Sequence, residues 1–430
     1  MPDTDRSSTA DSSDYDAIVI GASLAGCTTA ILLGRAGARV ALVDKNPDPR
    51  AFKRVCSHFI QASAVPTMER LGLLDAIVEA GGVRSRIRAW TPWGWIEAPP
   101  EAAGLSVNLR RELLDPLVRE MAASTPGVEL LLGQTAQRLI QERGAVRGVG
   151  VGDRAGEETL LRAPLVVGAD GRDSRIAELG DVETKTTPHG RFAYGAYFEG
   201  AMPDRAPDGT FWMLDPQWAA AFPTDSGLVF YAVMLTKDLL PEFKRNPEAA
   251  LVSFIADLPE APPIRAGRQV SAVTGKLEMP NRERATVAPG LALVGDAALA
   301  ADPLFGVGCG WALQSGEWLA DSVAPALRGE GSLERGLARY RRRHRRQLRG
   351  HAFLVNNYAT GRPISSGEKA LYAAAARDPK VAAIFDAVGT RRIKPSRMFA
   401  TAMPRAFAVN ARHALSRRGN NSAESGVAAA

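Results

Sequence analysis

Asp14-Tyr15-Asp16-Ala17-Ile18-Val19-Ile20-Gly21-Ala22-Ser23-Leu24-Ala25-Gly26 is the stretch from which the fold is read. Residues 15–20 form a short apolar run of the kind that a strand buried on both faces of a parallel sheet requires. A glycine turn follows, and residues 27–36 read as a helix closed by Gly37. Residues 39–43 read as a second strand, with Asp44 and Lys45 at its carboxyl end. The turn has the form G-x-S-x-x-G. In a dinucleotide-binding turn, the first glycine makes the bend, the second lets the backbone approach a diphosphate, and the third lets helix pack on strand. Here Ser23 stands at the second position, so its Cβ is tolerated or its hydroxyl donates to phosphate. The helix start at Leu24 and Ala25 then offers free amides and the positive end of the helix dipole. Asp44, 18 residues after Gly26, sits where a carboxylate accepts from ribose hydroxyls.

Outward from this unit, the chain of 430 residues is long enough for two or three domains and a large core. It is 46% apolar and 23% charged, ordinary for a globular protein. The net charge of +6 is too mild to imply a nucleic-acid partner. Residues 17–34 carry no charge, but their glycines and threonines suit strand, turn and helix better than a membrane span. No other stretch competes, no secretory signal is legible, and the chain is expected in the cytoplasm. Cys27, Cys56 and Cys309 are far apart, show no metal spacing and suggest a reducing compartment; no metal is expected.

Residues 1–14 and 416–430 read as disordered tails. Helices are expected near 64–71, 74–79 and 112–123, a strand at 128–132, and a small meander at 137–152. Residues 87–107, with Trp90, Trp93, Trp95 and several prolines, read as an irregular hairpin. From 187 to 277 the pattern turns strand-rich, with strands expected at 191–198, 210–214, 218–222, 228–235 and 270–277, and helix at 239–257. A strand at 291–295 and a long helix after Gly308 resume the first pattern, and residues 333–415 are helical.

Two further motifs follow apolar strands. Asp170-Gly171-Arg172-Asp173-Ser174-Arg175 comes after 165–169, and Gly295-Asp296-Ala297-Ala298 precedes Asp302-Pro303-Leu304-Phe305-Gly306-Val307-Gly308. In this order and spacing, from Tyr15 to about Trp318, the chain resembles the FAD-dependent monooxygenases of the para-hydroxybenzoate hydroxylase fold. Arg111-Glu112-Leu113-Leu114 is similar to that group's Arg-x-x-Leu helix start.

The resemblance implies an α/β fold: a Rossmann-type FAD-binding domain at 15–186 and 277–330, a strand-rich substrate domain at 187–276 with hairpin 87–107 contributing, and C-terminal helices at 331–415. It implies FAD as cofactor, with NADPH or NADH as reductant, or reduced flavin from a partner reductase. Gly21, Ser23, Leu24, Ala25, Gly26, Asp44, Lys45, Arg111, Ala136, Asp170, Asp296, Gly306, Val307 and Gly308 are the cofactor-binding residues it suggests. Asp296 would bind ribityl or ribose hydroxyls, Asp170 would hold a turn against FAD and nicotinamide, and the 306–308 amides would meet the pyrimidine edge of the flavin. A helix N-terminus there stabilises the negative charge of reduced flavin. Read alone, Asp170 suits a plain turn aspartate as well as a cofactor contact.

The reaction expected is insertion of one oxygen atom, by hydroxylation or epoxidation, into an apolar or aromatic small molecule of secondary metabolism. Tyr194, Tyr197, Trp212, Trp218, Ala220, Phe222 and Pro303 are candidates for the substrate pocket, together with Phe211; strand alternation puts Trp218, Ala220 and Phe222 on one face. A packed sheet core explains part of this set equally well. No catalytic residue is assigned. Flavin-dependent halogenases of the same fold carry a Lys beyond the second strand and a Trp-x-Trp-x-Ile-Pro strand. This chain has no Lys between Lys53 and Lys185, and Trp218 to Pro223 lacks the second Trp. Geranylgeranyl reductases are closer: Arg54-Val55-Cys56-Ser57 is similar to their basic-x-Cys-Gly stretch, so a flavin ene-reductase is the alternative. A non-catalytic FAD-binding protein is the remaining reading.

His58, the one histidine before residue 189, reads as a polar loop residue or a general acid or base. Nothing in the sequence visibly lowers the pKa of Cys56 or Cys309. The seven arginines at 339, 341, 342, 343, 345, 346 and 349 point around a helix rather than along one stripe. They are a solvated face packing by Leu337, Tyr340, His344 and Leu348, or an attraction to an anionic carrier protein or membrane surface.

Overall fold

The computed structural model describes residues 14–153 and 155–427. Of the tail expected at 1–14, residues 1–13 lie outside them. The deciding unit forms as read: strand Ala17–Ile20, helix Leu24–Arg35 and strand Val40–Asp44. Ala17–Ile20 is the centre of a six-stranded sheet, flanked by Val40–Asp44 and Leu165–Gly168, both parallel to it. Val128–Leu132 and Leu291–Leu293 extend the sheet in parallel, and Val287–Ala288 closes one edge antiparallel. Alternation divides each strand between two cores. Ala17 and Val19 face the helices Leu24–Arg35 and Gly308–Leu327, while Ile18 and Ile20 face the antiparallel meander Thr135–Glu142, Ala145–Gly152 and Glu158–Arg162. Gly21 bends the chain at φ +109°, and a Cβ on Gly26 would lie 1.8 Å from the Gly21 carbonyl oxygen. Only glycine lets this helix start against its strand.

The strand-rich region builds an eight-stranded sheet. Arg191–Glu199, Leu228–Thr236, Trp218–Pro223 and Gly209–Met213 pair antiparallel in that order. The hairpin Ile87–Thr91 and Gly94–Glu97 then adds in parallel to Gly209–Met213. The strand expected at 270–277 is instead two fragments, Arg268–Gln269 and Thr274–Lys276, both on Arg191–Glu199. Between them Ser271 donates and accepts side-chain hydrogen bonds with backbone groups that a continuous ladder would use. Residues 239–257 form two helices, Leu240–Phe243 and Pro247–Ala256, because Pro247 starts a second one capped by Asn246.

The C-terminal part is helical: Leu333–Ala359, Ser366–Ala375, Pro379–Gly389 and Met403–Val427 are its longer elements. The tail expected from Ser416 is helical backbone as far as Val427; residues 428–430 lie outside the described residues. No helix among the described residues is long and apolar enough to cross a membrane.

Candidate active site

The two helices that pack on the central sheet bring their N-termini to its carboxyl edge. Ser23 precedes helix Leu24–Arg35 but makes no cap bond; its Oγ accepts from Arg111 Nη2 at 2.8 Å. The first-turn amides at Leu24 and Ala25 thus have no side-chain cap. Asp44 ties strand to turn, accepting from the Ala22 amide at 2.8 Å and the Asn46 amide at 2.9 Å. A carboxylate has about four lone-pair sites, so capacity remains for hydroxyl donors. Lys45 is exposed beside it. Ala136 packs with Ile20 and Val43, near the ends of both strands.

Asp170 uses both oxygens within its own turn, accepting from Ser174 Oγ at 2.5 Å and the Ile176 amide at 3.0 Å. Its observed part is to hold that turn. Asp296 sits in a turn pinned by Ser315 Oγ, which accepts from the Gly295 amide at 2.8 Å. Lys53 Nζ lies 3.1 Å from Asp296 Oδ2. Burial opposes charge on Asp296, but Lys53 and Arg172 outweigh it and hold the carboxyl below the usual range.

At the other end, Asp302 accepts from the Leu304 amide at 2.8 Å and pairs with His189 Nε2 at 2.6 Å, which sets the loop before Gly306. Helix Gly308–Leu327 starts there with Val307 as an uncapped first residue. A Cβ on Gly308 would meet nothing within 4 Å, so open space adjoins that helix start. Two helix N-termini without side-chain caps, the cations Arg111 and Lys53, and two carboxylates with spare acceptor capacity fit a dinucleotide carrying a diphosphate, hydroxyls and an electron-rich ring. FAD has those parts.

A cluster that the sequence did not connect stands beside this space. Arg111 opens helix Arg111–Ala123 and is buried, held by Asp115 Oδ1 at 2.6 Å from its Nη2. Its backbone amide donates to His58 Nδ1 at 2.8 Å. That acceptor role leaves the hydrogen of neutral His58 on Nε2, which donates to Tyr197 Oη. Burial lowers the His58 pKa to about 4, so the ring is neutral at pH 7. The Tyr197 hydroxyl, itself pushed up by burial, keeps its own hydrogen for another acceptor. Arg110 braces the cluster by bonding Asp225 through its amide (3.0 Å) and Nε (2.8 Å). His58 is thus a buried, fully partnered residue. Its sequence signal was only its isolation.

Apolar side chains line an adjoining cavity with about 60 Å³ of free space, among them Phe59, Phe211, Met213, Trp218 and Phe305. Trp218, Ala220 and Phe222 share the face that borders it. Phe222 stacks on Phe59 with centroids 5.2 Å apart, and Trp218 meets Phe305 edge-on at 5.2 Å. Tyr197 packs against the same cluster. Tyr194 and Trp212 are placed on the opposite face of the sheet, Tyr194 stacked on Phe243. The reason is parity: Tyr194 is an odd number of residues from Tyr197, and Trp212 is next to the inward-facing Phe211 and Met213. Pro303 starts the turn that carries Phe305 but does not line the cavity. Asp386, Gly389 and Thr390 close it from the C-terminal helices, a contribution the helical reading of that region did not reveal.

Arg342, Arg345, Arg346 and Arg349 line a second, open cleft of about 670 Å³ with Lys394, Phe353 and Phe399. Arg339 and Arg343 are instead tied to the neighbouring helix through the Ser322 carbonyl and Asp321.

The FAD binding domain family matches residues 14–352. The digeranylgeranylglycerophospholipid reductase of Methanosarcina acetivorans is 28% identical over 358 residues, 78% of this chain and 82% of the relative. The 6-methylpretetramide 4-monooxygenase of Streptomyces rimosus is 31% identical over 180 residues, 40% of this chain and 42% of the relative. The flavin-dependent brominase Bmp2 superposes with a TM-score of 0.73 at 19% identity, covering 94% of this chain and 99% of that structure. That likeness is one of fold. With the family matched along most of its length and a site that fits the dinucleotide, the chain belongs to the FAD binding domain family and is an FAD-dependent oxidoreductase.

Proposed function

We propose that this oxidoreductase inserts one oxygen atom, by hydroxylation or epoxidation, into an apolar or aromatic small molecule of secondary metabolism. The observation that carries the reading is the aromatic cavity, which shares Phe305 with the loop leading into Gly308. A substrate there would lie next to the flavin ring and away from water. Bound FAD would supply the redox chemistry, taking electrons from NADPH or NADH, or arriving reduced from a partner, and passing them to dioxygen. The protein's residues do the rest. Gly21 to Gly26, Asp44, Arg111 and Asp296 hold the diphosphate and hydroxyls. The amides at Gly306 to Gly308 stabilise negative charge on the ring. Phe59, Phe211 and Trp218 orient a flat substrate and exclude water. Tyr197, its Oη accepting from His58, offers its own hydrogen to a substrate oxygen. The exposed Arg342 and Arg345 recruit substrate tethered to an anionic carrier protein.

The second reading, reduction of carbon–carbon double bonds, is favoured by the length of the match to the archaeal reductase. Labelled dioxygen separates them. Oxygen insertion adds about 16–18 mass units per atom and stops without air. A saturated, unlabelled product formed anaerobically overturns it, and a product carrying bromine or chlorine points to halogenation.

A further inference from the structure

We propose that Cys56 and Cys309 form a reactive thiol pair that reduces hydrogen peroxide and closes to a reversible disulfide. The pair joins parts of the chain 253 residues apart: Cys56 lies in the irregular segment after strand Val40–Asp44, and Cys309 in the first turn of helix Gly308–Leu327. Their sulfurs are 3.7 Å apart. Arg111 Nη1 stands 3.8 Å from one and 3.7 Å from the other, and the His58 amide donates to Cys56 Sγ at 3.3 Å. Reactive cysteines occupy electropositive, partly accessible sites, and Cys56 is the partly exposed member.

The two thiols are unequal. The hydrogen bond with Cys309 is the largest cause that draws the Cys56 pKa well below its usual value despite burial, and His58, Arg111 and Lys53 act in the same direction. Cys309, beside that thiolate and itself buried, is pushed well above. Accessibility draws the same line: Cys56 is partly exposed in an irregular segment and Cys309 is buried in a helix, so Cys56 attacks and Cys309 resolves. The Cys56 thiolate attacks one peroxide oxygen, the O–O bond breaks, and Cys56 sulfenic acid forms with release of hydroxide, which takes up the proton that Cys56 gave to solvent. The Cys309 thiol then attacks the sulfenic sulfur, the S–O bond breaks, and the thiol proton leaves with the hydroxyl group as water. In sum, two thiols and one hydrogen peroxide give one disulfide and two waters. Closing the bond needs an approach of about 1.7 Å, from 3.7 Å to a disulfide length of about 2.0 Å, by side-chain rotation and movement of the irregular segment. An external dithiol restores the pair by exchange. Peroxide is the product of oxygen chemistry that escapes coupling to a substrate, so the pair stands where that loss begins. The assignment concerns the chain's own sulfurs and holds whether the flavin serves oxygen insertion or double-bond reduction.

Cys27 supplies an internal control. It is fully buried in the first helix, and burial raises its thiol far above the usual range. The test treats purified full-length holoprotein with equimolar hydrogen peroxide. Intact mass should fall by about 2 units with one cross-link between the Cys56 and Cys309 peptides, and dithiothreitol should reverse both changes. In Cys309→Ser, dimedone should trap a sulfenate on Cys56; in Cys56→Ser, peroxide consumption should fall to the level without protein. Should Cys309→Ser misfold, the wild-type cross-link alone decides the matter. An unchanged count of free thiols, modification of Cys27 in place of the pair, or irreversible sulfinate without a cross-link overturns the proposal.

Discussion

At the scale of single residues, the site is a set of unequal commitments. Asp170 spends both carboxylate oxygens on its own turn, whereas Asp296 is held ionised chiefly by one partially exposed lysine. FAD hydroxyls can take over from Lys53 at Asp296, whereas Asp170, like Asp44, has lone pairs to spare but cannot give up either of its two bonds without opening the turn. Asp296→Ala should therefore weaken FAD binding by about tenfold or more, the loss of a charge-assisted bond of about 1.5–3 kcal/mol. Titration of apoprotein with FAD measures this, and an unchanged dissociation constant removes Asp296 from the cofactor site. Tyr197 is committed differently. Its ring packs against Phe230 at 5.1 Å, and its hydroxyl is fixed by His58. Tyr197→Phe keeps the ring and removes only the proton-bearing oxygen, so kcat should fall by about 10²-fold while FAD affinity stays put. A loss confined to KM would make Tyr197 a substrate contact instead.

At the scale of elements, what the sequence showed was set by how local the controlling physics is. The strand, turn and helix from Ala17 to Arg35 were legible because burial on both faces and the glycine turn leave one arrangement. The strands from Arg191 to Thr236 were legible from alternation, yet the same alternation had to be read with parity to separate Tyr197 from Tyr194. The interruption near Ser271 was hidden, since side chain and backbone compete there within one residue's reach. Also hidden were the contacts of Cys56, His58 and Arg111, which only the tertiary fold brings together. The Arg-rich helix splits along its length. Arg339 and Arg343 bond to the neighbouring helix, at the Ser322 carbonyl and Asp321, with Arg339 still exposed; Arg341, Arg342 and Arg345 are exposed as well. Reversing these three to Glu should raise KM severalfold for carrier-bound substrate and leave free substrate unaffected, with wild-type rates on the carrier-bound form falling as salt rises. Equal effects on both substrates would return the helix to a plain solvated face.

For the whole molecule, the buried histidines join the flavin site to the C-terminal helices in one acid response. His58 and His344 are lowered to about 4 and His351 to about 3, in each case chiefly by burial, with Arg111 near the first and Arg391 near the other two. Unfolded, each takes up its proton near pH 6.5. Between that value and about 4 the unfolded chain binds more protons than the folded one, so stability is full above pH 6.5 and falls as the pH drops through this window. The loss at pH 5 is on the order of 1–2 kcal/mol per histidine. Carboxylates such as Glu368, lowered to about 2, add their own loss only below the usual carboxylate range, nearer pH 4, so the two responses separate on the pH axis. His344 isolates the effect. Its ring packs edgewise on Trp318 at 6.4 Å and Tyr340 at 5.7 Å, and its Nε2 has no hydrogen-bond partner among the described residues. His344→Phe keeps a ring in that position and removes the titration. Urea midpoints measured at pH 7 and pH 5 should drop steeply for wild type and by about one histidine's share less for the variant. Equal slopes in the two proteins would mean that His344 takes up its proton without unfolding, by reaching water past the Leu333–Ala359 helix.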